Sequence, residues 1–227
     1  MGDCRLWLGG LDDDGGPPAG EGDWLAPEER ARLDGLSAPL RRRQFLAGHW
    51  RVRVLAAAFA GGGPRDWRFG AEAGGRPWLD GPGGRRLHVS ISHSGENLAV
   101  AVAWRAIGLD IEIPRRERDY GGLARHVFSP TEVQHIEALP PARRRQAFNT
   151  TWALKEAFGK RSGEGLQPAA SRRVTSEAAA PGDAEAFSWA LAGDGALALA
   201  AWPGADIEWA APGATGRADG WIYRQAG

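Results

Sequence analysis

Strict alternation marks the segment from Ala106 to Ile113. Ile107, Leu109, Ile111 and Ile113 fall on one side and Asp110 and Glu112 on the other, the period of a β-strand. Two carboxylates therefore project together from a strand, where acids are scarce and like charges repel, so that face needs either solvent or a cation. The apolar runs Leu98–Trp104 and Ala196–Trp202 each follow a glycine-containing turn and a further strand-like run, which predicts two hairpins. Helix starts are written at Ala26-Pro27 with Glu28 and Glu29, and at Ser129-Pro130 with Glu132. Each puts proline in the first turn and acids at the positive end of the helix dipole. In Trp152-Ala-Leu-Lys155-Glu156-Ala-Phe-Gly-Lys160 the side chains of Trp152, Glu156 and Lys160 line one side of a helix, drifting about 40° per four-residue step. Lys155 lies beside that stripe. The Gly/Pro-rich pieces at 61–64, 74–77 and 81–84 predict loops, and 168–183 predicts a longer loop segment.

These elements recur. Arg41-Arg42-Arg43-Gln44 returns as Arg143-Arg144-Arg145-Gln146, and at the same offset of 102 Trp50 matches Trp152 and Arg53 matches Lys155. The predicted fold class is α+β: two similar α/β halves, 1–107 and 108–227, related by a pseudo-twofold axis with a functional cleft between them.

Composition narrows the function classes. Lysine plus arginine equals aspartate plus glutamate, 28 of each, and a net charge of zero argues against the basic footprint of a general nucleic-acid binder. The single cysteine, Cys4, excludes an internal disulfide and a cysteine metal cluster. No apolar run reaches a membrane span. The start of the chain carries Asp12-Asp13-Asp14 rather than a basic-then-apolar leader, and Met1-Gly2 is followed by Leu6 where a myristoylation motif needs Ser or Thr. The expectation is a cytoplasmic monomer with neither membrane nor nucleic acid as partner. Eleven tryptophans are expected mainly in packing roles.

Only two of the basic residues are lysines, and both, Lys155 and Lys160, stand in the one helical stretch, among 26 arginines elsewhere. A lysine is a compact point charge and an arginine a planar fork, so a chain that otherwise uses arginine marks this stretch as an active-site helix. An ordinary i,i+4 ion pair on a solvated face is the competing account. Asp110, Glu112 and Glu156, with no cysteine and no histidine near them in sequence, suit a hard cation such as Mg²⁺, with Mn²⁺ also open, and disfavour zinc. Lys160 would then neutralise charge developing on a phosphate. Val89-Ser-Ile-Ser92-His93-Ser94-Gly95 supplies a histidine and hydroxyls before a turn, which alone reads equally as backbone capping. It lacks the Gly-x-Ser-x-Gly elbow, and Ser92 or Ser94 beside His93 would point to the opposite strand face, so a serine hydrolase fits poorly. Gly159-Lys160-Arg161-Ser162 is not a phosphate loop, lacking the upstream glycine.

Ser92-His93-Ser94, Gly108-Leu-Asp110-Ile-Glu112, and Trp152-Ala-Leu-Lys155-Glu156-Ala-Phe-Gly-Lys160 with Gly163-Glu-Gly165-Leu166 together resemble the 4′-phosphopantetheinyl transferase superfamily, in the order and spacing of its surfactin-synthetase-activator (Sfp) type. The resemblance is firm over 75–166, looser before and poor after 170. It implies two similar halves in one chain, and transfer of 4′-phosphopantetheine from coenzyme A to a serine of an apo acyl or peptidyl carrier protein, releasing adenosine 3′,5′-bisphosphate. It implies Asp110, Glu112 and Glu156 as Mg²⁺ ligands, and Asp110, Glu156 and Lys160 as catalytic residues, with Glu156 as the first choice of proton acceptor and a metal-bound water or Glu112 as the alternatives. It further implies coenzyme contacts from Arg43, Arg76, Pro77, Ser92, His93, Lys155 and Lys160. The other class in play is a noncatalytic coenzyme A or carrier-protein binding module of the same fold, which has no need of three metal carboxylates.

Overall fold

The structure is a computed structural model that describes residues 2–13, 16–18, 22–72, 74–114, 119–210 and 216–225; Met1 and Asp14 lie outside them. In chain order the elements are β1 (Cys4–Gly10), α1 (Pro27–Asp34), α2 (Pro39–Ala60), β2 (Arg68–Ala71), β3 (Pro77–Asp80), β4 (Arg86–Ser94), β5 (Asn97–Ala103), β6 (Gly108–Glu112), α3 (Tyr120–Val127), α4 (Pro130–Ala138), α5 (Pro141–Ser162), α6 (Pro168–Ser171), β7 (Val174–Ala179), β8 (Ala186–Leu191), β9 (Gly195–Ala200), β10 (Ile207–Trp209) and β11 (Asp219–Gln225). The fold is α+β, in two compact units. The first comprises Met1–Ile107 with Asp206–Ala214, and the second Gly108–Ala205 with Thr215–Gly227.

The first unit holds a sheet of order β10-β1-β5-β4-β3-β2, in which β10 runs parallel to β1 and the other pairings are antiparallel. Alternation along β5 aims Leu98, Val100 and Val102 at α2, where Val52, Leu55 and Phe59 meet them in a core that also takes in Trp7, Leu79 and Leu87. The second unit holds an antiparallel sheet of order β6-β9-β8-β11-β7. Here α5 packs Ala153, Leu154 and Ala157 onto Ala186, Ala196, Ala198 and Ala200. A separate cluster of Phe128, Ile136 and Phe148, with Trp152 packed against it, joins α3, α4 and α5.

The written repeat is matched by structure within each unit. Helices α2 and α5 are both 22 residues long, and each begins at a proline. Gln44 Nε2 donates to the carbonyl of Gly95 at 2.8 Å in the β4–β5 turn, and Gln146 Nε2 to that of Gly195 at 3.0 Å beside the β8–β9 turn. The helix starts at Pro27 and Pro130 and both hairpins stand where the pattern puts them.

Two expectations change. The 168–183 segment is no loop, because it forms α6 and then β7, whose six residues pair with β11. Val174-Thr-Ser-Glu-Ala-Ala179 lacks sustained apolar alternation because β7 lies at the sheet edge, where backbone pairing alone makes the strand. The chain also does not divide by one cut, since 206–214 returns to the first unit. There β10 adds three residues beside β1, too short a run to show a period.

Candidate active site

Register decides which strand residues meet α5. Gly108, Asp110 and Glu112 lie opposite Ala200, Ala198 and Ala196, the alanines that α5 covers, so the acidic face of β6 is turned toward the helix. Asp110 is only 5% exposed there. Lys160 reaches it from the last turns of α5: its Nζ donates to Asp110 Oδ1 at 2.7 Å and to the carbonyl of Leu109 at 3.0 Å. Glu156, one turn earlier and half-buried, has its carboxyl pushed above the ordinary range, first by burial and then by the negative charge of Asp110, with Lys160 pulling the other way. Glu112 is half-buried on the Asp110 side of the strand.

Oxygen donors without sulfur suit a hard divalent cation, and the mutual repulsion of Asp110 and Glu156 is what such a cation relieves. Among the described residues, however, no three His, Cys, Asp or Glu side chains are gathered as a metal-holding group. The ammonium of Lys160 sits on Asp110 instead. The donor chemistry fits the ion, and binding it requires this ion pair and Glu112 to adjust.

Lys155, read from sequence as a coenzyme contact, is corrected. It is 1% exposed, its Nζ paired with Glu132 at 2.8 Å and donating to the carbonyls of Ser171, at 2.9 Å, and Val174. Burial lowers its pKa and the charge of Glu132 opposes that. Glu132 also accepts from the amides of Ser129 and Ser176, both at 2.8 Å. The pair therefore ties α4, α5, α6 and β7 together, and its ammonium is closed off from solvent. The physical reason is helical geometry: Lys155 is one residue, about 100°, off the Glu156–Lys160 side. Neither argument from lysine scarcity nor from motif separates the two lysines.

The first unit has its own polar group. Arg41 Nη1 lies 3.2 Å from His93 Nε2, at the end of β4. Arg43, expected at a phosphate, is held instead by Asp12 at 2.7 Å and Glu96 at 3.1 Å, about half exposed. Three consecutive arginines on a helix face three directions, and sequence does not rank them. Ser92 is buried within β4, opposite Ala99. Arg76 pairs with Glu72 at 2.8 Å, and Pro77 opens β3. Glu132 went unrecognised as a partner for Lys155, although Glu29 and Arg53 form the same pair, at 2.6 Å, in the first unit.

A sequence model of the 4′-phosphopantetheinyl transferase superfamily matches residues 106–192, which contain Asp110, Glu112, Glu156 and Lys160. Over that segment the chain is similar to the 4′-phosphopantetheinyl transferase superfamily. It is 33% identical over 145 residues to the 4′-phosphopantetheinyl transferase HetI of Nostoc sp., covering 63% of this chain and 61% of that protein. A 4′-phosphopantetheinyl transferase of Bacillus subtilis is 35% identical over 121 residues, 53% of this chain and 52% of its own length. Sfp of Bacillus subtilis strain 168 is 28% identical over 143 residues, 63% and 62% respectively. The match thus spans less than two thirds of each of these relatives.

Proposed function

We propose that this protein transfers 4′-phosphopantetheine from coenzyme A to a serine of an apo acyl or peptidyl carrier protein, releasing adenosine 3′,5′-bisphosphate. The observation that carries the reading is Lys160 on Asp110, beside a Glu156 of raised pKa, inside the superfamily segment. The relatives are named for this transfer.

The serine hydroxyl attacks the β-phosphorus, the bond from that phosphorus to its bridging oxygen breaks, and the bisphosphate leaves. Asp110, Glu112 and Glu156 would hold Mg²⁺, or Mn²⁺, whose charge supplies neutralisation at the pyrophosphate. Lys160 adds a fixed positive charge where negative charge grows on the leaving group. Glu156, which lies beside Asp110 and Lys160, is the group we assign to take the serine proton. In the first unit Arg41 and His93 are the groups we assign to the coenzyme's terminal phosphate, with Arg76 and Pro77 along the nucleotide. The proposal takes the protein as a cytoplasmic monomer. Among the described residues no helix is long and apolar enough to cross a membrane.

The test is intact-protein mass spectrometry of apo carrier proteins incubated with this protein, coenzyme A and Mg²⁺, with an EDTA control. The expected result is a metal-dependent gain of one phosphopantetheine on a carrier. Coenzyme A binding without transfer to any carrier would replace the proposal with the binding module.

A further inference from the structure

Gly108 stands two residues before Asp110 on the same face of β6. Its backbone is not among those with positive φ, so conformation does not demand glycine there. Space does. A Cβ at Gly108 would strike the carbonyl oxygen of Ala157 and stand 2.5 Å from the amide nitrogen of Arg161, both backbone atoms of α5. A glycine inside a strand marks close approach of another backbone, and here the backbone is the helix that carries Glu156 and Lys160. Ala157 and Arg161 directly follow those two residues, so whatever lifts them from β6 lifts the charged pair from Asp110. The rest of this contact is equally thin, with Ala153 and Ala157 against Ala196, Ala198 and Ala200, all fully buried.

We infer that Gly108 is a positioning residue: by letting the α5 backbone settle on β6 it sets the reach from Asp110 to Glu156 and Lys160. The catalytic consequence rests on the proposed transfer, and the positioning itself does not. A displacement of about 1 Å costs on the order of 100-fold in a reaction whose catalysis is mostly placement.

Two variants thicken the contact from adjacent strands, Gly108→Ala and Ala198→Val. A third, Gly220→Ala in β11, is the control, because its Cβ would stand 2.9 Å from the Ala179 carbonyl oxygen at the far side of the same sheet. The readouts are thermal midpoint, affinity for Mn²⁺ alone, and kcat and KM for a carrier. The expected result is at least about a tenfold loss in both kcat and Mn²⁺ affinity for the first two, with carrier KM within about twofold. Gly220→Ala should lose thermal midpoint only. Folded site-side variants with wild-type kcat and Mn²⁺ affinity overturn the inference, as does an equal loss in Gly220→Ala. If Gly108→Ala does not fold, Ala198→Val decides alone. A wild type that binds Mn²⁺ but transfers to no carrier removes the proposed function, while the affinity comparison still decides the positioning.

Discussion

In the first unit α2 is held off its sheet by Val52, Leu55 and Phe59 packed on Leu79, Leu87, Leu98 and Val100, whereas in the second α5 rests on alanines and on Gly108. The hairpin register makes the substitution explicit. Val100 lies opposite Trp7 on β1, and Ala198, its counterpart in the repeated apolar run, lies opposite Asp110 on β6. At the helix offset of 102, Val54 and Ala58 stand where the second unit has Glu156 and Lys160. The first unit thus fills the helix–sheet gap with hydrocarbon, with Trp7 4% exposed in the core and Arg51 stacked 4.2 Å over its ring. The second leaves the gap thin and places charge at its edge. One frame therefore yields a helix–sheet gap filled with hydrocarbon in one unit and a thin, charge-edged gap in the other.

What the units keep in common is a buried ion pair between the third residue of a short helix and the middle of the long one. Glu29 accepts from the Ala26 amide at 2.8 Å and is clasped by Arg53 Nη1 at 3.0 Å and Nη2 at 2.6 Å. Glu132 and Lys155 repeat this with a point charge in place of the fork. Removing one partner strands a buried charge, so Lys155→Met and Arg53→Met should each destabilise by about 3–5 kcal/mol in urea unfolding. Equal losses would show that both pairs are structural. A Lys155→Met protein that keeps its stability but loses coenzyme binding would return Lys155 to the site.

The next effect separates the units. Glu156→Gln should lower kcat for transfer by about 100-fold or more, with little change in thermal midpoint, since it removes the proposed metal ligand and the proposed base together. Its counterpart, Val54→Ala, should leave kcat within about twofold and cost about 1 kcal/mol of stability. A large kcat effect from Val54→Ala would mean that the chemistry is not confined to the second unit.

The sequence displayed its strongest periods faithfully. The strand bearing Asp110 and Glu112, both hairpins and the proline-started helices were legible because alternation and capping are local properties. The repeat was legible because arginine, glutamine and tryptophan mark fixed turns of both long helices. Strands β7 and β10 were not, since one lacks sustained apolar alternation and the other is three residues long, so that distant backbone partners define them. The gathering of Asp110, Glu156 and Lys160 followed from type and spacing. The buried pair of Lys155 was not foreseen, because a charge within a motif looks the same whether it meets a substrate or a neighbouring carboxylate. Glu132 and Arg41 show up only when helices are packed.

The smallest test concerns the one group present in the first pair and absent from the second. His49 donates from Nδ1 to Glu29 Oε1 at 2.5 Å and stacks between Phe45 and Phe69, with centroids 3.9 and 4.3 Å away, while Thr151 occupies its place in the repeat. Burial lowers the His49 pKa despite the Glu29 carboxylate, which pulls it up. Burial pushes Glu29 up too, but hydrogen bonds from His49 and Arg53 and the guanidinium charge outweigh it and hold the carboxyl near about 2, against 4.5 unfolded. Both shifts act in one direction. Below pH 6.5 the unfolded histidine binds a proton that the folded one resists, and below pH 4.5 the unfolded glutamate does the same. Stability should therefore fall on acidification in two stages, each with a slope of up to about 1.4 kcal/mol per pH unit. His49→Gln should flatten the upper stage, starting at pH 6.5, and, by taking the His49 hydrogen bond from Glu29, narrow the lower one, which in the wild type runs from 4.5 toward about 2. Urea unfolding across that range reads both slopes. An upper slope unchanged in His49→Gln would mean that the histidine titrates alike in both states, and that the extra group adds packing to the first pair without making it sensitive to acid.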